Sequence, residues 1–202
     1  MDPLEAAVGQ ARQRHVLIIG GAAGVAFAVL RGLAWMMPDG ATAPWALCAL
    51  ALSVFAPAYV TFSAELDRNP LEVTEPNKPS EALRMAVAAC IALAWGQALL
   101  QHAMQGDPPL WLKLMQRQLV PWNIAILIAV VAFTSRAAAL LRVFGLAAGG
   151  VACLSVMVDG SLHKQLEGVA VGLGIFWVAA VGIAMCLFKT AKPPAVDDGL
   201  ER

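Results

Sequence analysis

The sequence predicts an all-α integral membrane protein, because it is rich in apolar residues, poor in charge and divided into long apolar runs. Of its 202 residues, 59% are hydrophobic and 14% are charged, and the mean hydropathy is +0.69. Soluble domains carry about a quarter charged residues, so this chain lacks the polar surface needed to cover a core of its size. A bilayer core about 30 Å thick requires roughly 20 apolar residues in a helix. Six runs approach that length, near 16–37, 44–63, 85–104, 119–135, 137–158 and 168–188.

These runs predict a single transmembrane domain over residues 1–202, built as a polytopic bundle of six helices. The fourth run is short and the fifth contains Arg142, so a bundle of five spans is the alternative. Between the second and third spans lies a polar loop, 64–83, and a polar tail follows at 189–202.

The distribution of lysine and arginine predicts that both termini are cytoplasmic. With six spans, the inside segments hold ten basic residues: Arg12, Arg14, Arg68, Lys78, Arg84, Arg136, Arg142, Lys189, Lys192 and Arg202. The outside holds four: Arg31, Lys113, Arg117 and Lys164. Cytoplasmic loops carry an excess of such residues, which favours this orientation. The tryptophans expected at the outer interface are Trp35, Trp45, Trp111 and Trp122.

The segment before the fourth span predicts a short interfacial helix near 108–118. Leu110, Trp111, Leu114 and Met115 would share one face of this helix, and such an amphipathic segment can lie flat on a membrane surface. The alternative is one long fourth helix that continues through Pro121.

Several functional classes lack their signatures in this sequence. The 14 basic and 14 acidic residues balance, which argues against a nucleic-acid partner. Neither a catalytic motif, a nucleotide-binding glycine loop nor a metal-type Cys/His spacing is present. We therefore expect no enzyme, no cofactor and no metal. The four cysteines all lie in apolar runs, so we expect them to pack rather than form disulfides.

Three pairs of glycines have the spacing G-x-x-x-G, which leaves a smooth face where another helix backbone can approach closely. The pairs are Gly20 and Gly24, Gly145 and Gly149, and Gly168 and Gly172. Such a face serves either packing within the chain or contact with another subunit.

Polar residues in the outer half of the spans are candidates for function, because they are costly at membrane depth. Gln97 and Gln101 lie four residues apart on one face of the third span. We expect them to line a polar recess open to the outside, with Arg31 near its wall. The other candidate members are His102, Asn123 and Asp159. The alternative is that the glutamines form hydrogen bonds between helices.

These features predict a non-enzymatic integral membrane subunit that packs into a homo-oligomer or a larger inner-membrane complex, with the lipid bilayer as its surroundings. The compact chain with minimal loops favours a bacterial inner membrane. The alternative is a small transporter or pore that uses the polar recess. An intramembrane enzyme ranks third, because the spans lack a nucleophile–base pair.

Overall fold

A computed structural model describes residues 3–37, 42–66, 81–105, 107–133, 139–158 and 160–188. No strand occurs in these ranges, so the predicted all-α class is confirmed. The helices are α1 (Pro3–Met36), α2 (Ala43–Leu66), α3 (Glu81–Ala103), α4 (Leu110–Phe133), α5 (Ala139–Met157) and α6 (Ser161–Leu187). Most of the predicted loop 64–83 and the whole tail 189–202 lie outside the described residues.

Four helices are long and apolar enough to cross a membrane: α1 from Val8 onward, α2, α3 and α6. In α5 the apolar stretch is shorter, Leu141–Met157. Large apolar side chains in the middle of the long helices face outward, and Ile19, Leu50 and Phe176 are each more than half exposed. Water is a poor solvent for such a surface and lipid is a good one, so the chain has the architecture of an integral membrane protein. Six spans and cytoplasmic termini stay predictions.

The prediction of a separate interfacial helix near 108–118 is wrong. Helix α4 begins at Leu110 and continues without interruption through Pro121 to Phe133. Proline removes one backbone donor, and a helix in a membrane bundle tolerates that loss where neighbouring groups compensate for it. Within the first turn, Leu110 and Trp111 are exposed, whereas Leu112 is buried.

The helices form a ring in chain order, because each packs against its neighbour in sequence, including α2 against α3. Helix α6 closes the ring by packing along α1. Short connections, such as the turn at Gly160 with φ 81°, make successive helices antiparallel. The ends of α1, α3 and α5 therefore meet the beginnings of α2, α4 and α6 at one end of the bundle.

The core is formed by buried residues that recur every three or four positions along the helices. In α2 the buried residues Cys48, Leu52, Phe55, Tyr59 and Phe62 recur every three or four positions, so they share one helix face. They meet α6, where Tyr59 packs edge-on against Trp177 with ring centroids 5.6 Å apart. The indole nitrogen of Trp177 donates a hydrogen bond to the Leu141 carbonyl oxygen at 3.0 Å, which ties α6 to α5.

Two of the three glycine pairs pack inside the chain. A side chain at Gly20 would collide with Ala58 of α2, and one at Gly24 would stand 2.5 Å from the Phe55 ring. At the second pair, Gly145 faces Val131 and Gly149 faces Ile128, both on α4. The third pair differs, because Gly172 is exposed and an added Cβ there meets nothing within 4 Å.

Candidate functional site

A recess of about 690 Å³ lies at the end of the bundle where α1 and α3 finish and α2, α4 and α6 begin. Its wall includes Arg31 from α1, Gln97 and Gln101 from α3, and the first two turns of α6. The positive-inside pattern of the sequence predicts that this end faces the outside of the cell.

Arg31 is buried in this wall although it carries a charge. Its guanidinium carbon lies 4.1 Å from the centroid of the Trp45 ring, on the first turns of α2. A cation over an aromatic face gains about 2 kcal/mol when the pair is shielded from water. Glu167 of α6 lines the same recess. The Trp45 ring thus stabilises Arg31 at the recess.

Gln97 and Gln101 continue the core-facing seam of α3. The apolar members of that seam, Leu83, Val87 and Cys90, are buried at the same spacing of three or four residues. Both glutamines are buried as well, so the seam changes from apolar to polar only where it reaches the recess. Asn123 of α4 donates a hydrogen bond from Nδ2 to Oε1 of Gln97 at 3.4 Å.

Helix α6 contributes three recess residues that the sequence prediction missed: His163, Lys164 and Glu167. The sixth span was expected to begin at 168, whereas α6 begins at Ser161, which places these residues on its first turns. Their spacing, with Gly160 three residues before His163, is that of one helix face. A polar helix face that continues directly into the apolar run could have indicated from the sequence that the sixth helix begins before residue 168.

His163 joins the beginning of α6 to the end of α5. Its Nδ1 donates a hydrogen bond to the carbonyl oxygen of Ser155 near the end of α5. Its Nε2 lies 3.8 Å from Oε2 of Glu167, one turn further along α6. A carbonyl oxygen only accepts, so Nδ1 is the protonated nitrogen in this hydrogen bond. The bond ties the beginning of α6 to the end of α5.

Positive charge predominates among the described wall residues. Arg31, Lys113 and Lys164 are basic, and Glu167 is acidic. Lys113 also lies 4.0 Å from Asp107, but this pair is largely exposed and contributes little to stability. Gln97, Gln101 and Gln116 add amide groups that both donate and accept hydrogen bonds. The recess is thus suited to an anion that also forms hydrogen bonds.

A second, smaller cavity of about 70 Å³ adjoins the recess deeper in the bundle. The two spaces share Arg31, Trp45 and Gln97 as wall residues, so these side chains stand at their boundary. Beyond them the walls are almost wholly apolar, with Phe27 of α1, Leu52 of α2 and Val178 of α6. We call this space the apolar chamber.

The predicted recess residues have different positions in the structure. Arg31, Gln97 and Gln101 all line the same recess, and Asn123 lines the apolar chamber. His102 is exposed at the end of α3 and is not among the described wall residues. Asp159 lies outside the described residues.

The tryptophans predicted at the outer interface differ in exposure. Trp35 and Trp111 are exposed, as expected at a headgroup level. Trp45 instead turns inward beneath Arg31 and borders both cavities, a role that its position near the helix end does not reveal.

The cysteines of the described residues are free thiols. Cys48 and Cys90 are buried and both line the apolar chamber, whereas Cys153 and Cys186 are exposed on the bundle surface. Among the described side chains, no cluster of three or more metal-binding groups occurs.

The chain matches no protein-family model, no curated protein and no solved structure.

Proposed function

We propose that this protein is a small, non-enzymatic transporter of the bacterial inner membrane that binds an organic anion in the recess. The observation that carries the proposal is the burial of Arg31, Gln97 and Gln101 around a cavity of about 690 Å³. Charged and strongly polar side chains are expensive at membrane depth, and they mark solute pathways where they occur together.

The chemistry of the wall supports an anionic solute. Three basic side chains and one acidic side chain surround the described part of the recess. The guanidinium of Arg31 offers a planar set of donors that matches the oxygens of a carboxylate, sulfonate or phosphate. Its position over Trp45 orients that donor set, so an anion would not have to order it.

Transport is tested with proteoliposomes loaded with methanesulfonate, a permanently charged anion that does not cross lipid as a neutral acid. We expect efflux well above that of protein-free vesicles, and little efflux of tetramethylammonium. Arg31→Gln should reduce the anion flux at least tenfold, because each 1.4 kcal/mol of lost interaction is a factor of ten.

The control for this variant is Arg142→Gln, which removes one exposed positive charge from α5, away from the recess. It should transport like the unmodified protein. Equal efflux of methanesulfonate from Arg31→Gln and Arg142→Gln vesicles, or no efflux from any of them, contradicts the proposal.

A second candidate function, a subunit of a homo-oligomer or larger membrane complex, is favoured by Gly168 and the exposed Gly172 on α6. Gly172 has open space around it, and Gly168 has only the edge of Trp35 at 3.9 Å from an added Cβ. Small residues on a lipid-facing helix permit close approach of another helix. Native mass spectrometry in mild detergent tests this function: Gly172→Leu should dissociate the assembly, and Gly150→Leu, on the outer face of α5, should preserve it.

A further inference from the structure

We infer that the solute of this protein is an amphiphilic anion, with its charged group in the recess and a short apolar group in the adjoining chamber. This inference rests on the proposed function of the recess and adds the chemical class of the solute. The polar recess alone would suit any small anion. It is the apolar chamber behind Arg31 that selects among anions.

The recess and the apolar chamber share part of their walls. Arg31, Trp45 and Gln97 border both cavities, so an anion bound to the guanidinium lies next to the entrance of the chamber. Trp45 presents an aromatic surface there, and Gln97 is held by its hydrogen bond from Asn123. A ligand that contacts Arg31 through its charged end can therefore extend its other end into apolar surroundings.

The chamber itself is suited to a short chain. Its volume is about 70 Å³, and its walls include Leu52, Ile175 and Val178. An apolar cavity of this kind does not hold water well, because water needs polar partners. A short alkyl group would remove the remaining void and gain the transfer free energy of its methylenes, about fourfold in affinity for each.

Gly174 offers a direct way to fill the chamber. It is buried, it lines the chamber, and an added Cβ would meet nothing within 4 Å. The Cβ of a side chain at this position therefore enters open space without displacing a neighbour. Gly174→Ala fills part of the space, and Gly174→Val fills more of it.

The test compares the binding of butanesulfonate and methanesulfonate to the full-length protein in detergent by isothermal titration calorimetry. Both probes carry the same charged group, and they differ by three methylenes. We expect butanesulfonate to bind at least tenfold more tightly, and butyltrimethylammonium, with a similar chain and the opposite charge, not to bind. In Gly174→Val the preference for butanesulfonate should fall to less than threefold while methanesulfonate binds as before.

The control is Gly150→Val, because Gly150 is exposed on α5, has no neighbour within 4 Å of an added Cβ, and does not line the chamber. It should keep the full preference. If Gly174→Val does not fold, Gly174→Ala gives the same comparison with an intermediate preference. A preference that survives both substitutions at Gly174 overturns this inference and leaves anion binding intact. Failure of both sulfonates to bind overturns the proposed function and this inference together.

A second readout follows the chamber directly. Cys48 and Cys90 line it, whereas Cys153 is exposed on the outer surface of α5. Butanesulfonate should slow the reaction of Cys48 and Cys90 with methyl methanethiosulfonate at least fivefold, measured by peptide mass spectrometry, and leave Cys153 unaffected. Methanesulfonate should protect neither buried thiol. Equal protection by the two sulfonates contradicts occupancy of the chamber by the alkyl chain.

Discussion

Gly21 and Gly182 bring the backbones of α1 and α6 into direct contact. A Cβ at Gly182 would stand 2.7 Å from the carbonyl oxygen of Gly21, and a Cβ at Gly21 would stand 2.5 Å from the carbonyl oxygen of Gly182. Neither helix can therefore carry a side chain at this crossing. Because α6 closes the ring of helices against α1, this crossing determines whether the bundle closes.

Gly182→Ala should destabilise the protein at that crossing. Overpacking a close contact costs about 1–3 kcal/mol, whereas alanine favours the helix by roughly 1 kcal/mol relative to glycine. Gly150→Ala isolates the second effect, because an added Cβ there meets nothing within 4 Å. We expect Gly182→Ala to unfold at a lower denaturant concentration than Gly150→Ala in detergent, followed by tryptophan fluorescence. Equal unfolding midpoints for the two variants would show that α1 and α6 accommodate the added methyl group without loss of stability.

Trp177→Phe should destabilise the junction of α5 and α6. Phenylalanine retains an aromatic ring beside Tyr59 but loses the N–H that donates to the Leu141 carbonyl oxygen. The Leu141 carbonyl oxygen lies within α5 and can still accept from the helix backbone, so the loss is that of one hydrogen bond, about 0.5–1.5 kcal/mol in free energy of unfolding. The matched control is Trp111→Phe, whose indole is exposed on α4. Chemical denaturation in detergent measures both, and a loss for Trp177→Phe no larger than for its control would contradict the assigned role of the hydrogen bond.

Hydropathy was sufficient to predict the helices, because each apolar run satisfies its own backbone hydrogen bonds wherever it lies in the membrane. It did not locate the beginning of α6, since His163, Lys164 and Glu167 lower the local hydropathy while still lying on a helix. The same averaging separated 108–118 from the fourth span, although α4 is continuous. Hydropathy thus reports how well a segment dissolves in lipid and does not report where its helix ends.

The candidate site was predictable only in part, for a similar reason. Gln97 and Gln101 could be placed on one face because their spacing within one helix fixes it. The partnership of Arg31 with Trp45 depends on how α1 packs on α2, which local spacing does not determine. The Gly21–Gly182 crossing was missed for the same reason, because the G-x-x-x-G rule considers one helix at a time.

Trp45→Leu should lower the free energy of unfolding, because it removes the aromatic ring that contacts the Arg31 guanidinium. Leucine fills part of the space but lacks the electron-rich face on which the guanidinium lies, 4.1 Å from the ring centroid. We expect a loss of about 2 kcal/mol in the free energy of unfolding, and a smaller loss for Trp45→Phe, which retains a weaker aromatic face. The difference between the two variants should disappear when Arg31 is replaced by Gln. A difference that persists in the Arg31→Gln background would show that Trp45 acts by packing alone.

The charges on α6 should control anion binding in opposite directions. Glu167→Gln removes the acidic residue of the described recess wall, and Lys164→Gln removes a basic one. One unit charge at the distance of a few side chains changes the interaction with a bound anion by on the order of 1 kcal/mol, about fivefold in Kd. We therefore expect methanesulfonate to bind more tightly to Glu167→Gln and more weakly to Lys164→Gln, measured by isothermal titration calorimetry. Both shifts should shrink at 1 M salt, where the Debye length is about 3 Å.

Since Glu167 also lies beside His163, the comparison is restricted to variants whose unfolding midpoints match the unmodified protein. Shifts of the same sign for the two variants would exclude an electrostatic role for this face of α6.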